Sequence, residues 1–255
     1  MQPARIAELL EPYLGPPEAR RLAPDAYDRI SMYIDLLQRW NARVNLTAIR
    51  NEEEIVTRHF GESLFAAHHL LADRFNAEDS PDTRRDVASY KESLSHRGRA
   101  VKRRVIGPEK SGALAAAVPV ADVGSGAGFP GIPLKLYAPE ISLTLIESNH
   151  KKATFLKEIA RTLTLTNIDI QTARAETLRS SSFDVVTLRA VERFEQVLPI
   201  ARSLLAPEGR LALLIGSAQF PVALTMLSDL AWPAPIAIPN SQSRILAVAT
   251  KPASL

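Results

Sequence analysis

From Val118 onward, short apolar runs alternate with stretches of helical length, and nothing else in the chain limits its possible folds as strongly. Residues 118–123, 141–146, 168–172, 183–188 and 211–215 read as strands, each a brief apolar run. Residues 151–163 and 192–205 have the length and periodicity of helices, and 236–238 with 244–249 could add two closing strands as a hairpin. Strands separated by helices build a parallel, doubly wound sheet with helices on both faces. In such sheets ligands bind at the carboxyl ends of the strands, near the point where strand order reverses.

The first strand ends at Asp122 and Val123 and runs into Gly124, Ser125, Gly126, Ala127, Gly128, Phe129, Pro130 and Gly131. Glycines here let the backbone turn sharply and let a ligand approach without an intervening side chain. Two spacings coexist. Gly126, Gly128 and Gly131 satisfy the dinucleotide pattern G-x-G-x-x-G. Gly124, Gly126 and Gly128, led by Asp122, satisfy a tighter G-x-G-x-G that resembles the first motif of class I methyltransferases. A tight strand-to-helix turn without a ligand would also use glycine. Glu147 closes the second strand, where a carboxylate can accept hydrogen bonds from both hydroxyls of a cofactor ribose. NAD and S-adenosylmethionine both carry that ribose, so Glu147 does not separate them.

Three later elements favour the methyltransferase. Arg174, Ala175 and Glu176 follow the third strand, where such enzymes hold adenine. Phe183, Asp184 and Val185 open the fourth. Leu205, Ala206, Pro207, Glu208, Gly209 and Arg210 make a Pro-Gly turn ahead of the fifth. The expected fold is α/β: a Rossmann-like, mostly parallel seven-stranded class I methyltransferase sheet with an N-terminal helical extension.

That extension spans residues 1–75. Pro24 and Asp25 mark a helix start, followed by Tyr27, Ile30, Ile34 and Leu37 on one face. A second helix follows Asn51, with Glu52, Glu53 and Glu54 suited to its positive N-terminal end. Residues 76–115 change character to a charged insertion, and 97–104 hold five basic residues without an acidic one. Such a segment reads as a solvated stretch, or as an electrostatic arm for nucleic acid. The methyltransferase domain is expected over 116–255. The net charge of +3 adds only a mild bias towards anionic partners.

The chemistry is narrowed by absences in the sequence. There is no cysteine, which excludes disulfides, thiolate metal sites and a cysteine nucleophile, and with it the usual route to pyrimidine carbon methylation. No metal is expected. The N/D-P-P-Y/F motif common in exocyclic amine methylation is replaced after the fourth strand by Thr187, Leu188, Arg189 and Ala190. Guanine N7 has an available lone pair and no proton to lose. It needs alignment rather than a base, and alignment lowers such barriers by roughly 7–11 kcal/mol. The N-terminal stretch, charged at Arg5, Glu8 and Glu11, does not read as a signal peptide, and no apolar run approaches the length of a membrane span. A soluble, cytoplasmic protein is the expectation.

With these residues in view, the chain resembles the bacterial 16S rRNA guanine-N7 methyltransferases, the RsmG family, over most of its length outside the insertion. Trp40, Asn41, Asn45, Leu46 and Thr47 look like its W-N-x-x-x-N-L-T signature, and Arg58 with His59 like its R-H pair. Residues 122–133 look like its D-V-G-[ST]-G-x-G-[LF]-P-G-I-P loop. Ser148, Lys151, Lys152, Phe155 and Leu156 match its next helix start, and Arg189-Ala190 its R-A. The resemblance implies S-adenosylmethionine as cofactor, with contacts at Gly124, Phe129, Ala175, Glu176 and Arg189, to which the loop and strand-end reading adds Gly126 and Glu147. It also implies one guanine of 16S rRNA, in the small ribosomal subunit, as substrate, and the protein is expected to act on it as a monomer. The catalytic candidates are Arg189, His59, Arg58 and Asn45. Arg189 would touch cofactor or target base. Arg58 and His59 would reach RNA phosphate or serve capping and packing, and Asn45 would hold a turn or a nucleotide. Two residues depart from the family pattern: Glu62 where aspartate is usual, and Ile215 where lysine is usual. The rival readings are an NAD-linked oxidoreductase or nucleotide-binding module, and a small-molecule methyltransferase.

Overall fold

The computed structural model describes residues 1–16, 19, 21–76, 117–178 and 182–253. The chain divides into two compact units, residues 1–70 with 117–255 and residues 71–116. The fold below is that of the first. The charged insertion, with its basic stretch at 97–104, lies outside the described residues.

Seven strands form one sheet: β1 Pro119–Val123, β2 Ser142–Ile146, β3 Ile168–Gln171, β4 Phe183–Arg189, β5 Leu205–Gly216, β6 Ile236–Ala237 and β7 Arg244–Thr250. Their order is β3-β2-β1-β4-β5-β7-β6. β1 to β5 pair in parallel, and β7 runs antiparallel between β5 and β6. This is the mostly parallel, Rossmann-like sheet expected of class I methyltransferases. The order reverses between β1 and β4, so the loop after β1 opens at the switch point. Strands such as β1 are buried along nearly their whole length, which is why they read as continuous apolar runs rather than alternations.

One boundary differs from the sequence expectation. β5 begins at Leu205, not at 211, because the Pro-Gly turn is itself incorporated into the strand. Pairing with β4 slips from Phe183↔Leu205 to Val185↔Arg210, and Glu208 takes a left-handed φ of 61° at the bulge. The backbone N–H of Glu208 is nevertheless satisfied by Lys251 O at 3.0 Å.

In the N-terminal part, helix Ala26–Asn41 buries Ile30, Tyr33, Ile34 and Leu37 as one stripe. The next helical run starts at Asn51, whose side chain accepts from Glu54 N at 3.0 Å. It continues as Glu52–Glu54, a π-helical turn Ile55–Gly61, and Glu62–Asn76. The π turn re-aims Arg58 and His59 relative to an unbroken α-helix, a distortion frequent at functional sites.

Candidate functional site

The glycine loop is held mainly by its own protein. Gly124 and Ser125 both donate their N–H to Ile146 O, at 2.9 and 3.1 Å, which ties the turn to the end of β2. Gly126 N–H donates to Glu147 Oε2 at 2.9 Å, and Asn149 N–H to Oε1 of the same carboxylate at 2.7 Å. Glu147 is thus buried, yet a carboxylate offers about four acceptor sites and these amides fill only two. Gly126 has φ +55°, and a Cβ there would meet nothing nearer than Gly124 O at 3.7 Å, so the loop stays open on that side.

Asp122 anchors the loop from below. Its Oδ1 accepts from Thr187 Oγ1 of β4 at 2.8 Å and its Oδ2 from Gly131 N–H at 3.2 Å. Burial pushes its carboxyl up to about 6, against the pull of these donors. At neutral pH it is therefore largely ionised and occupies the first amide of helix Gly131–Tyr137. Pro130 before it has no N–H. A dinucleotide fold presents that helix end to a pyrophosphate. Here a protein carboxylate stands in the place, and it would repel the phosphate.

Two adjoining depressions share Gly124, Ser148 and Val191. One is lined by Ile146, Ala175 and Glu176, the other by Asn45, Thr47, His59, Gly126, Phe129, Glu147 and Arg189. The structure therefore brings the cofactor candidates from four strand ends, β1 to β4, into these adjoining depressions, with Asn45 and His59 also lining the second. Arg58 is the exception among the named candidates. Its guanidinium pairs with Glu54 at 2.7 Å and lines a separate depression with Tyr13 and Arg244, so only its carbonyl serves the cleft. Trp40 is half-buried, donating to Glu158 Oε2 at 3.0 Å and packing edge-on against Phe155.

Arg189, at the end of β4, is the pivot. Nη1 donates to His59 Nδ1 at 2.9 Å, and Nη2 to Arg58 O at 2.6 Å and Glu62 Oε2 at 3.1 Å. Its Nε is buried and has no partner among the described residues. Burial lowers Arg189 to about 10, still a cation at neutral pH, and the Glu62 carboxylate opposes that fall. The same Glu62 pairs with Arg244 Nε of β7 at 2.8 Å. In the sequence alone Glu62 is only a departure from a pattern. In space it is the anion between two arginines from distant strands. Ile215, the other departure, is buried in the core beside β7. Beyond Arg189 the chain turns through Ala190 at φ 51°, a left-handed conformation costing a non-glycine residue about 1 kcal/mol or more.

His59 stacks on Phe129, with ring centres 4.7 Å apart and planes 17° from parallel, and Tyr33 stacks on Phe129 too, at 5.4 Å. Burial, then the Arg189 charge, drives the imidazole down to about 2, so it is neutral at any physiological pH. It is neither a base poised near neutrality nor a phosphate-binding cation. Asn41 has a bracing role that its place in the sequence does not reveal. Its Oδ1 accepts from Leu46 and Thr47 N–H at 2.8 and 3.1 Å, and its Nδ2 donates to Thr47 O at 2.9 Å. That brace fixes the loop carrying Asn45 and Thr47. Among the described residues no helix is long and apolar enough to cross a membrane.

Residues 26–79 and 110–221 match the family model GidB, described as rRNA small subunit methyltransferase G. A ribosomal RNA small subunit methyltransferase G of Halorhodospira halophila is 36% identical over 210 residues, spanning 80% of this chain and 79% of that one. The protein of the same description from Roseiflexus castenholzii is 36% identical over 201 residues, spanning 74% and 68%. That from Xanthomonas campestris pv. campestris is 32% identical over 200 residues, spanning 78% and 73%.

Proposed function

Since the chain belongs to the GidB family, the rRNA small subunit methyltransferases G, we propose that it transfers a methyl group from S-adenosylmethionine to N7 of one guanine in 16S rRNA. The observation that carries this is the cleft: a glycine loop opened at Gly126, backed by a Glu147 carboxylate with acceptor capacity to spare, under a loop that carries the family signature. A ribose diol fits such a carboxylate, and Ala175 with Ile146 provides an apolar wall for a base. S-adenosylmethionine, when bound, supplies an electrophilic methyl on a sulfonium, and that bond's electron pair stays on sulfur when N7 takes the methyl.

The residues' own tasks are then positional. Glu147 and the Gly124–Gly126 turn hold the cofactor's nucleoside end. Phe129, stacked with both His59 and Tyr33, stiffens the loop beside it. Arg189, fixed by three partners, sets the substrate-side wall. No group in the cleft has to remove a proton, which suits an acceptor that bears none, and the neutral His59 agrees with that demand. The substrate is the small ribosomal subunit or its RNA, which makes the cytoplasm the site of action. The dinucleotide reading is disfavoured by the Asp122 carboxylate at the helix start.

Mapping 7-methylguanine in small-subunit rRNA from cells lacking the protein tests the substrate: one position should lose the modification. Persistence of every such position would defeat the assignment. Calorimetry with S-adenosylhomocysteine and with NADH tests the cofactor, and tight NADH binding alone would reverse it.

A further inference from the structure

Thr47 lines the same cleft as Gly126, Glu147 and Arg189. Its hydroxyl oxygen meets the Ile49 N–H at 3.1 Å and His59 Nε2 at 2.8 Å. The far side of the imidazole decides which partner donates in the second contact. A guanidinium has donors and no acceptor, and Arg189 Nη1 lies 2.9 Å from His59 Nδ1. Nδ1 must therefore present its lone pair. A neutral ring then carries its single proton on Nε2 and donates it to Thr47. A hydroxyl has two lone pairs and one proton. Both lone pairs of Thr47 are spent, and its proton has no partner among the described residues.

We propose that Thr47 is a specificity-determining residue whose hydroxyl, restricted to donating, reads the O6 carbonyl of the target guanine beside the reacting N7. The inference rests on the guanine-N7 reading above and goes beyond it by naming what distinguishes guanine at this site. Guanine presents N7 and O6 as adjacent acceptors, whereas adenine presents N7 beside the N6 amino donor. An unrestrained hydroxyl could turn to suit either base. A hydroxyl whose lone pairs are occupied faces adenine's amino group donor to donor and rejects it. The relay Glu62–Arg189–His59 sets that restriction from inside the protein, and the Asn41 brace fixes the backbone of Thr47.

The test uses the full-length protein and small subunits reconstituted around 16S rRNA carrying either guanine or 2-aminopurine at the target position. The latter keeps N7 and lacks O6. Methyl transfer is measured for the wild type, Thr47→Val and Thr47→Ser, with S-adenosylhomocysteine affinity by calorimetry alongside. The wild type should prefer guanine. Thr47→Val should lose about tenfold on guanine, the order of one hydrogen bond, and nothing on 2-aminopurine. Thr47→Ser should keep the preference, and all three should bind S-adenosylhomocysteine alike. A Thr47→Val loss equal on both substrates would mean a merely structural role and overturn the proposal, as would no loss on guanine. If Thr47→Val does not fold, the wild type still decides, since without a preference for guanine over 2-aminopurine the proposal fails. Absence of any wild-type transfer to guanine-bearing subunits is a different result, which defeats the guanine-N7 reading itself and the proposal with it.

Discussion

Glu62→Gln removes a charge while preserving shape, at the point where the helical extension meets the sheet. The carboxylate is 3% exposed and stands 3.1 Å from Arg189 Nη2 and 2.8 Å from Arg244 Nε. Glutamine would leave two guanidiniums facing each other with no anion between them, and its amide would direct donors at donors. Removing one partner of a buried pair costs about 3–5 kcal/mol, chiefly because the stranded charge stays desolvated. Arg244 retains 23% of its side-chain exposure, so water relieves part of its loss, and the lower end, about 3 kcal/mol, is expected. Urea unfolding followed by circular dichroism reads this directly. With slopes of about 1–3 kcal/mol per molar, the midpoint should fall by at least about 1 M at unchanged slope. Glu62→Asp, which restores the residue usual in the family pattern, should cost markedly less because the charge remains. Glu62→Gln/Arg244→Gln should recover part of the loss, since the residues are coupled. A Glu62→Gln penalty below about 1 kcal/mol would refute the idea that this carboxylate is the counter-ion that keeps Arg189 buried.

Glu147→Ala should weaken S-adenosylhomocysteine binding by about 1–3 kcal/mol in calorimetry, from lost hydrogen bonds to a charged group and a loosened Gly126 turn; unchanged affinity would remove Glu147 from the site. Gly126→Ala and Gly128→Ala should separate binding from folding. The first has room for its Cβ, carries only the strain of a φ of +55°, about 1 kcal/mol, and should chiefly impair ligand binding, whereas at Gly128, with φ +89°, the Cβ would run into Tyr33 Oη and lie 2.7 Å from Ile132 Cδ1 and should lower the melting temperature most. Acidification should also be costly. His59 is depressed to about 2, so the unfolded chain binds more protons below its ordinary value near 6.5. This share of stability is complete above that pH and falls with pH, by about 2 kcal/mol at pH 5. His59→Gln, which can accept from Arg189 and donate to Thr47, should flatten the stability profile between pH 5 and 7. A slope identical to wild type would show that the imidazole does not stay neutral.

The sheet was legible because buried parallel strands leave continuous apolar runs, and the loop was legible because its turn needs glycine at fixed places. The start of β5 was not, since a Pro-Gly turn carries the same signal whether it precedes a strand or bulges within one. The π-helical turn was equally hidden: Ile55, Val56 and Phe60 fit an ordinary helical stripe. In the candidate site, Glu147 could be proposed from its strand-end position, but its bonds to Gly126 and Asn149 could not be read there. Least visible was the charge cluster. Glu62 lies 127 residues from Arg189 and 182 from Arg244 in sequence, and no local periodicity encodes a pairing across such distances. Thr47 stands inside the signature without a task legible there, because the one proposed for it depends on which nitrogen of His59 holds the proton.

The stacking of His59 and Tyr33 on Phe129 means that the N-terminal helices and the glycine loop share one seam rather than standing apart. A fragment reduced to the sheet would bare an aromatic ring of the glycine loop and strand two guanidiniums at the ends of β4 and β7. Grafting the extension onto another sheet of this architecture would fail for the same reason, unless the ring and both cations travelled with it. A substitution on one side of this seam therefore acts on groups that the other side holds.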